Sequence, residues 1–251
     1  MPTLDAALAA AATIVAVAFG AATLERWLLR RRPHELAWTI SLGMFAAASF
    51  ALWLSEAVGW SAGSFRVFFL FGAVLNVPWL ALGTVYLLAP RRVADTTLWV
   101  LAVTSGFAAG VILVAPMHGA VPRDELPQGS ELFGPLPRVL AAVGSGLGAV
   151  VVIGGALWSA WRLFAARRPT TGRERAGARA GRRLAAGNLV IAAGTIILSL
   201  SGTVAGRLGK DRAFALTLVL GITVLFAGFL IATPARPPAA ARLLRSAQDA
   251  A

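Results

Sequence analysis

The stretch LFGAVLNVPWLALGTVYLL, residues 70–88, decides the fold. It carries no charged side chain, and it is long enough to cross a bilayer core of about 30 Å, which takes roughly 20 apolar residues as a helix. Its centre nevertheless holds an amide, a helix breaker and an indole: Asn76, Pro78 and Trp79. Hydrocarbon offers no hydrogen bonds to a backbone, so a spanning segment of this kind has to be helical. On a helix Gly72, Asn76, Trp79, Gly83 and Tyr86 recur at +4, +3, +4 and +3 and share one face. An amide in lipid needs a partner, so that face is expected to look into a bundle. Pro78 has no N–H and clashes with the carbonyl of Val74, which predicts a kink and an unpaired backbone oxygen at mid-depth. A neighbouring hydroxyl is the natural partner for that oxygen.

Six further stretches meet the same length and polarity test, giving spans at about 5–26, 36–57, 66–88, 97–115, 138–162, 184–206 and 213–233. Composition agrees: 58% of the 251 residues are hydrophobic, 14% are charged, and the mean hydropathy is +0.75. The expected fold is therefore all-α, a polytopic bundle of seven transmembrane helices occupying residues 1–233 as one domain, with a short tail at 234–251. The first span has Asp5 at its start and its arginines after the apolar run, the reverse of a cleaved signal peptide, and reads as a retained anchor. Cysteine is absent, which removes disulfides and thiolate chemistry.

Charge sets the orientation, because cytoplasmic loops retain Lys and Arg. Seventeen of these residues collect on one side, among them Arg26, Arg30, Arg31, Arg32, Arg91, Arg92, the eight arginines from Arg162 to Arg183, and three in the tail. Six lie on the other: Arg66, Arg123, Arg138, Arg207, Lys210 and Arg212. The N-terminus is expected outside and the C-terminus inside a plasma membrane. The formal charge of +12 is then spent on topology, and with no soluble domain to carry a basic patch, nucleic acid is not an expected partner. The basic loop RRPTTGRERAGARAGRR (167–183) reads as flexible and attracts anionic lipid headgroups at roughly 1 kcal/mol per basic residue. The outer loop 116–137 is long enough to lie over the bundle mouth.

The remaining polarity lies on helix faces. Span six aligns Asn188, Ala192, Thr195, Ser199 and Thr203, and span five aligns Gly144, Gly148, Gly155 and Ser159 as a ridge that lets another helix approach closely. Span seven repeats the ridge with Thr217, Gly221 and Gly228. Asn76, Trp79, Tyr86, Thr195 and Ser199 are the candidate ligand-binding residues, suited to a small neutral molecule or a lipid. No ionisable residue falls near the bilayer centre, which argues against proton pumps, ion-coupled carriers and voltage sensors. A retinal protein needs a lysine in its last span, whereas Lys210 precedes it. His34 and His118 are the only histidines and fall on opposite sides, and the serines lack a partner base. No catalytic residue, metal ligand or cofactor is expected, and the chain does not read as an enzyme. Glu25, Glu35 and Asp95 read as a salt-bridged layer at the cytoplasmic face.

Residues HELAWTISLGMFAAASFALW (34–53) and FRVFFLFGAVLNVPWLALGTVYLLAPRR (65–92) resemble uncharacterised seven-helix integral membrane proteins of actinobacteria. More distantly they are similar to the seven-helix membrane sensor regions of bacterial histidine kinases. That resemblance implies a bundle and carries no catalytic motif; residues 234–251 are too few for a kinase or other output domain. Two functions are compatible with these features: a bundle that binds or passes a small neutral molecule or lipid, or a non-transporting sensor or accessory subunit acting through its basic loops. The cysteine-free background makes the orientation directly testable. Glu125→Cys is expected to react with a membrane-impermeant maleimide in intact cells, and Thr170→Cys only after permeabilisation; the reverse pattern would invert the topology.

Overall fold

The computed structural model describes residues 4–165, 172–208 and 211–232. Arg167, Arg168, Lys210 and the tail from 234 onward lie outside them. Among the described residues, seven helical stretches are long and apolar enough to cross a membrane. They are α1 (Leu4–Arg30), α2 (Pro33–Val58), the composite span Ala62–Leu88, α5 (Arg91–Val114), α7 (Pro135–Ala165), α8 (Gly172–Leu208) and α9 (Asp211–Ala232). The composite span consists of α3 (Ala62–Phe68), a π-helical segment (Phe69–Leu75) and α4 (Asn76–Leu88). A single turn, α6 (Gly129–Leu132), lies in the loop before α7.

Local chemistry explains the boundaries. Ser61 and Ser64 form a reciprocal capping box that starts α3, with both side-chain-to-backbone bonds at 3.1 Å. Pro33 opens α2 at a position whose N–H would be unpaired in any case. Two residues suffice to join α1 to α2, because Arg31 adopts a left-handed φ of 51° and returns its N–H to Trp27. The segment expected to be a flexible basic loop at 167–183 is instead helical from Gly172. Alanine and arginine are strong helix formers, so α8 continues beyond its apolar core.

Six of the spans form a closed ring. In order, α1 packs on α2, α2 on the composite span, that span on α7, α7 on α8, α8 on α9, and α9 returns to α1. The first seam is small: Ala9, Ala12, Ala16, Phe19 and Thr23 recur at about half-heptad spacing and are fully or almost fully buried. Aromatic rings close the circle, with Phe19 4.8 Å from Phe226 and 4.7 Å from Phe229. α5 stands outside, packing on α4, the π segment and α7 and held at its end by Arg66 of α3. Just 11% of its apolar window is buried, against 44% for α2 and α9, so most of its surface is left for lipid.

Glycine sets the closest approaches. A Cβ on Gly148 would lie 2.9 Å from the Val77 carbonyl carbon, and one on Gly144 would lie 3.0 Å from the Val74 oxygen. The same holds between α8 and α9, where a Cβ on Gly194 would meet the Leu225 nitrogen at 2.7 Å and one on Gly228 the Ile191 nitrogen at 2.7 Å. Backbones in contact gain dispersion energy that lipid does not supply, which is how small residues bind membrane helices together. Two arginines cap helix ends. Arg66 donates to the carbonyls of Ile112 and Ala115 at the end of α5, the latter at 2.8 Å, and Arg183 donates to Ile231 at the end of α9 at 2.7 Å. Both satisfy orphan carbonyls and oppose the negative end of the helix dipole.

Overpacking at a filled contact costs about 1–3 kcal/mol. Gly148→Ala is therefore expected to lower the melting temperature in detergent. Gly106→Ala, on α5 where a Cβ meets nothing within 4 Å, is expected to leave it unchanged. Equal effects would show that the glycine contacts do not hold the ring together.

Candidate binding cavity

The break in the composite span is spread over two defects. Asn76 returns its N–H to Phe71, five residues back, so the chain carries one extra residue per turn before Pro78. Passage from a π turn to an α turn leaves one carbonyl of the ladder without a donor, and Pro78 leaves another. A hydroxyl does reach the backbone here, but at Ala73 and not at the Val74 oxygen expected from the sequence: Ser145 of α7 donates to the Ala73 carbonyl at 2.5 Å. Gly144 and Gly148, on either side of that serine, let α7 come close enough to deliver it. Asn76 finds its partner on α2, where the Ser41 Oγ lies 2.9 Å from the Asn76 backbone oxygen and 2.7 Å from its side-chain amide.

A cavity of about 760 Å³ opens beside this break, inside the ring. Its polar wall includes Ser49, Asn76, Ser145, Thr195 and Ser199, and its apolar wall includes Phe45, Phe69, Phe214 and Leu218. A mostly apolar cleft with a few placed polar groups is the usual form of a small-molecule site, at a volume within the usual range of about 300–1,000 Å³. The long loop closes one end, with Glu125 to Ser130 contributing to the lining beside Arg138. It is held down by a backbone bond from Trp60 to Arg123 at 3.1 Å and braced within itself by one from His118 to Leu132 at 3.0 Å. Phe133 anchors it further, 4.9 Å from Phe69 and 5.5 Å from Phe65. Gly129 sits so tightly against the Phe69 ring that it has no room for a side chain.

Of the five candidate residues, Asn76, Thr195 and Ser199 line this cavity, whereas Trp79 and Tyr86 lie elsewhere. The Trp79 indole donates to Ser105 on α5 at 3.1 Å, and the Tyr86 hydroxyl donates to Asp95 at 2.9 Å. A face built on +3 and +4 steps is broad, and two neighbours divide it. Asn76 and Gly83 meet α2, with the Trp38 indole lying against Gly83 and donating to Leu80, while Trp79 and Tyr86 meet α5. Asn188 does not reach the cavity either: it donates to Ser159 at 2.7 Å and ties α8 to α7. The Thr203 side chain lies outside the described residues.

Asp95 also accepts from the Arg91 guanidinium at 3.0 Å, so the ion pair closing that end of the bundle includes a phenol. Glu35 is buried in the first turn of α2, and its Oε2 has no hydrogen-bond partner among the described residues. No group of three or more metal-ligating side chains occurs among the described residues. Sequence reading missed Ser41, Ser145 and Arg138 as neighbours of the site. For Ser145 a signal existed, since a hydroxyl between two glycines of a ridge suits a helix that needs an external donor. Ser41 carries no such mark.

Fold and cavity together define a seven-span helical bundle with an internal, loop-covered pocket beside a broken helix. The chain matches no protein-family model, and no curated protein matches it.

Leaving a buried carbonyl unpaired costs about 1–3 kcal/mol. Ser145→Ala is therefore expected to destabilise the bundle by that amount, measured by thermal or denaturant unfolding in detergent. Ser145→Thr, which keeps the hydroxyl, is expected to cost less. Equal losses would mean that Ser145 matters only for its size.

Proposed function

We propose that this protein binds a small neutral molecule or a lipid within the bundle, at the cavity beside Asn76, in a plasma membrane with its N-terminus outside. The observation that carries the reading is the cavity itself. It holds three of the five residues chosen from sequence on polarity alone, Asn76, Thr195 and Ser199, and it is enclosed by a loop long enough to control access. A bundle whose spans serve only as packing has no reason to keep a volume of about 760 Å³ lined by neutral hydroxyls and an amide at mid-depth. Neutral polarity suits a neutral ligand, because nothing in the deep wall balances a charge. Passage across the membrane fits the same architecture, with the loop as the outer gate. The basic cytoplasmic segments anchor the bundle against anionic headgroups.

Native mass spectrometry tests the reading on protein taken from its own membrane in mild detergent, beside Asn76→Leu and Ala142→Trp. Ala142 is an exposed residue lining the cavity, so a tryptophan there fills space without removing a core contact. A ligand carried by the wild type and lost from both folded variants is expected. If the wild type carries nothing, or if the variants keep what it carries, the cavity is not the binding site, and the working surface is the basic loops of a sensor or accessory subunit.

A further inference from the structure

Apart from Glu125 and Arg138, which also line the cavity, the proton accounting of the neutral groups in its wall points to a class of ligand. A hydroxyl has one proton and two lone pairs, so its donor is spent once and its acceptor capacity remains. Ser145 spends its proton on Ala73, Thr195 on the Ile191 carbonyl at 2.9 Å, and Ser199 on the Thr195 carbonyl at 2.8 Å. Thr195 and Ser199 add to carbonyls within an unbroken helix, so their protons can be redirected at little loss. Ser145 turns away only by giving up its bond to Ala73, so it faces the cavity as an acceptor.

Asn76 gives the same result. The Ser41 proton has two oxygens within reach, the Asn76 backbone oxygen at 2.9 Å and the side-chain Oδ1 at 2.7 Å, and it can serve one of them. Turning the amide by half a revolution places Nδ2 against Ser41. The hydroxyl then donates to the backbone oxygen and accepts from the amide, two bonds instead of one. Oxygen and nitrogen of an amide are assigned by such networks, and the better-satisfied arrangement is preferred. Oδ1 is then left for the cavity, since Asn76 has no other hydrogen-bond partner among the described residues. Ser49 makes no hydrogen bond among them and keeps both capacities.

We propose that the cavity selects amphiphiles whose polar group donates hydrogen bonds, uncharged alcohols of the monoacylglycerol type, over ethers, ketones and quinones that only accept. This rests on the cavity being a binding site. An acceptor-only ligand would leave the Asn76 Oδ1 unpaired and the free lone pairs of Ser145 unused, and sites built to bond a hydroxyl discriminate strongly against analogues without one.

The test is a native mass spectrometry titration of the full chain in detergent with 1-monoolein and with its dimethyl ether, which share one acyl chain. Ala142→Trp serves as the blocked control. Monoolein is expected to bind the wild type about tenfold more tightly than the ether, or better, and to lose its occupancy in Ala142→Trp. Equal binding of the two probes, still lost in Ala142→Trp, would overturn the donor requirement and leave the cavity as a site. Binding of neither probe, or binding indifferent to Ala142→Trp, would overturn the selection and the cavity reading together.

Discussion

A carbonyl in hydrocarbon without a donor has no water to turn to, and the composite span creates such carbonyls at mid-depth by placing a π turn directly before Pro78. The remedy comes from a neighbouring helix. Ser145 supplies the proton, and two glycines bring its backbone to within van der Waals contact of residues 74–78. Ser41 secures the other side of the break through Asn76. The defect thus fastens the span to α7 and α2 at the same depth, and these are its two neighbours in the ring.

Closing a ring with tight seams leaves slack elsewhere. The α8–α9 seam, pinned by Gly187, Gly194, Gly221 and Gly228, and the seam of α7 with the composite span leave no freedom for the helices to collapse inward. The cavity occupies the interior between them, and the loop covers one end on a foundation of Phe65, Phe69 and Phe133. The polar face of α4 is broad enough for two neighbours, so Asn76 meets α2 and the cavity while Trp79 meets α5. Polarity that would be costly against lipid is placed either in a paired contact or on the cavity wall.

Arginine has two kinds of work in this chain. By number it is the charge on which the orientation expected from the positive-inside bias rests. By position, Arg66 and Arg183 each close the C-terminal end of a helix other than their own, supplying donors to carbonyls that the ladder leaves open. Arg91 adds a third role, joining Asp95 and Tyr86 where α4 gives way to α5.

Seven spans, their approximate limits and the helical class were legible in the sequence because each follows from local quantities: apolar length, the cost of unpaired backbone in lipid, and proline or serine at helix starts. A helix irregularity next to Pro78 and the close approach at Gly144 and Gly148 were legible for the same reason. Which residues meet across helices was not. Asn76 and Trp79 share a helical face on paper, yet that face is wide enough for two neighbours, and only the packing of α2 and α5 assigns one residue to the cavity and the other to Ser105. The partners Ser41 and Ser145 and the exclusion of α5 from the ring depend on contacts between residues far apart in the chain. Periodicity places a side chain on a face of its own helix; the register and rotation of the helices around it decide what that side chain touches.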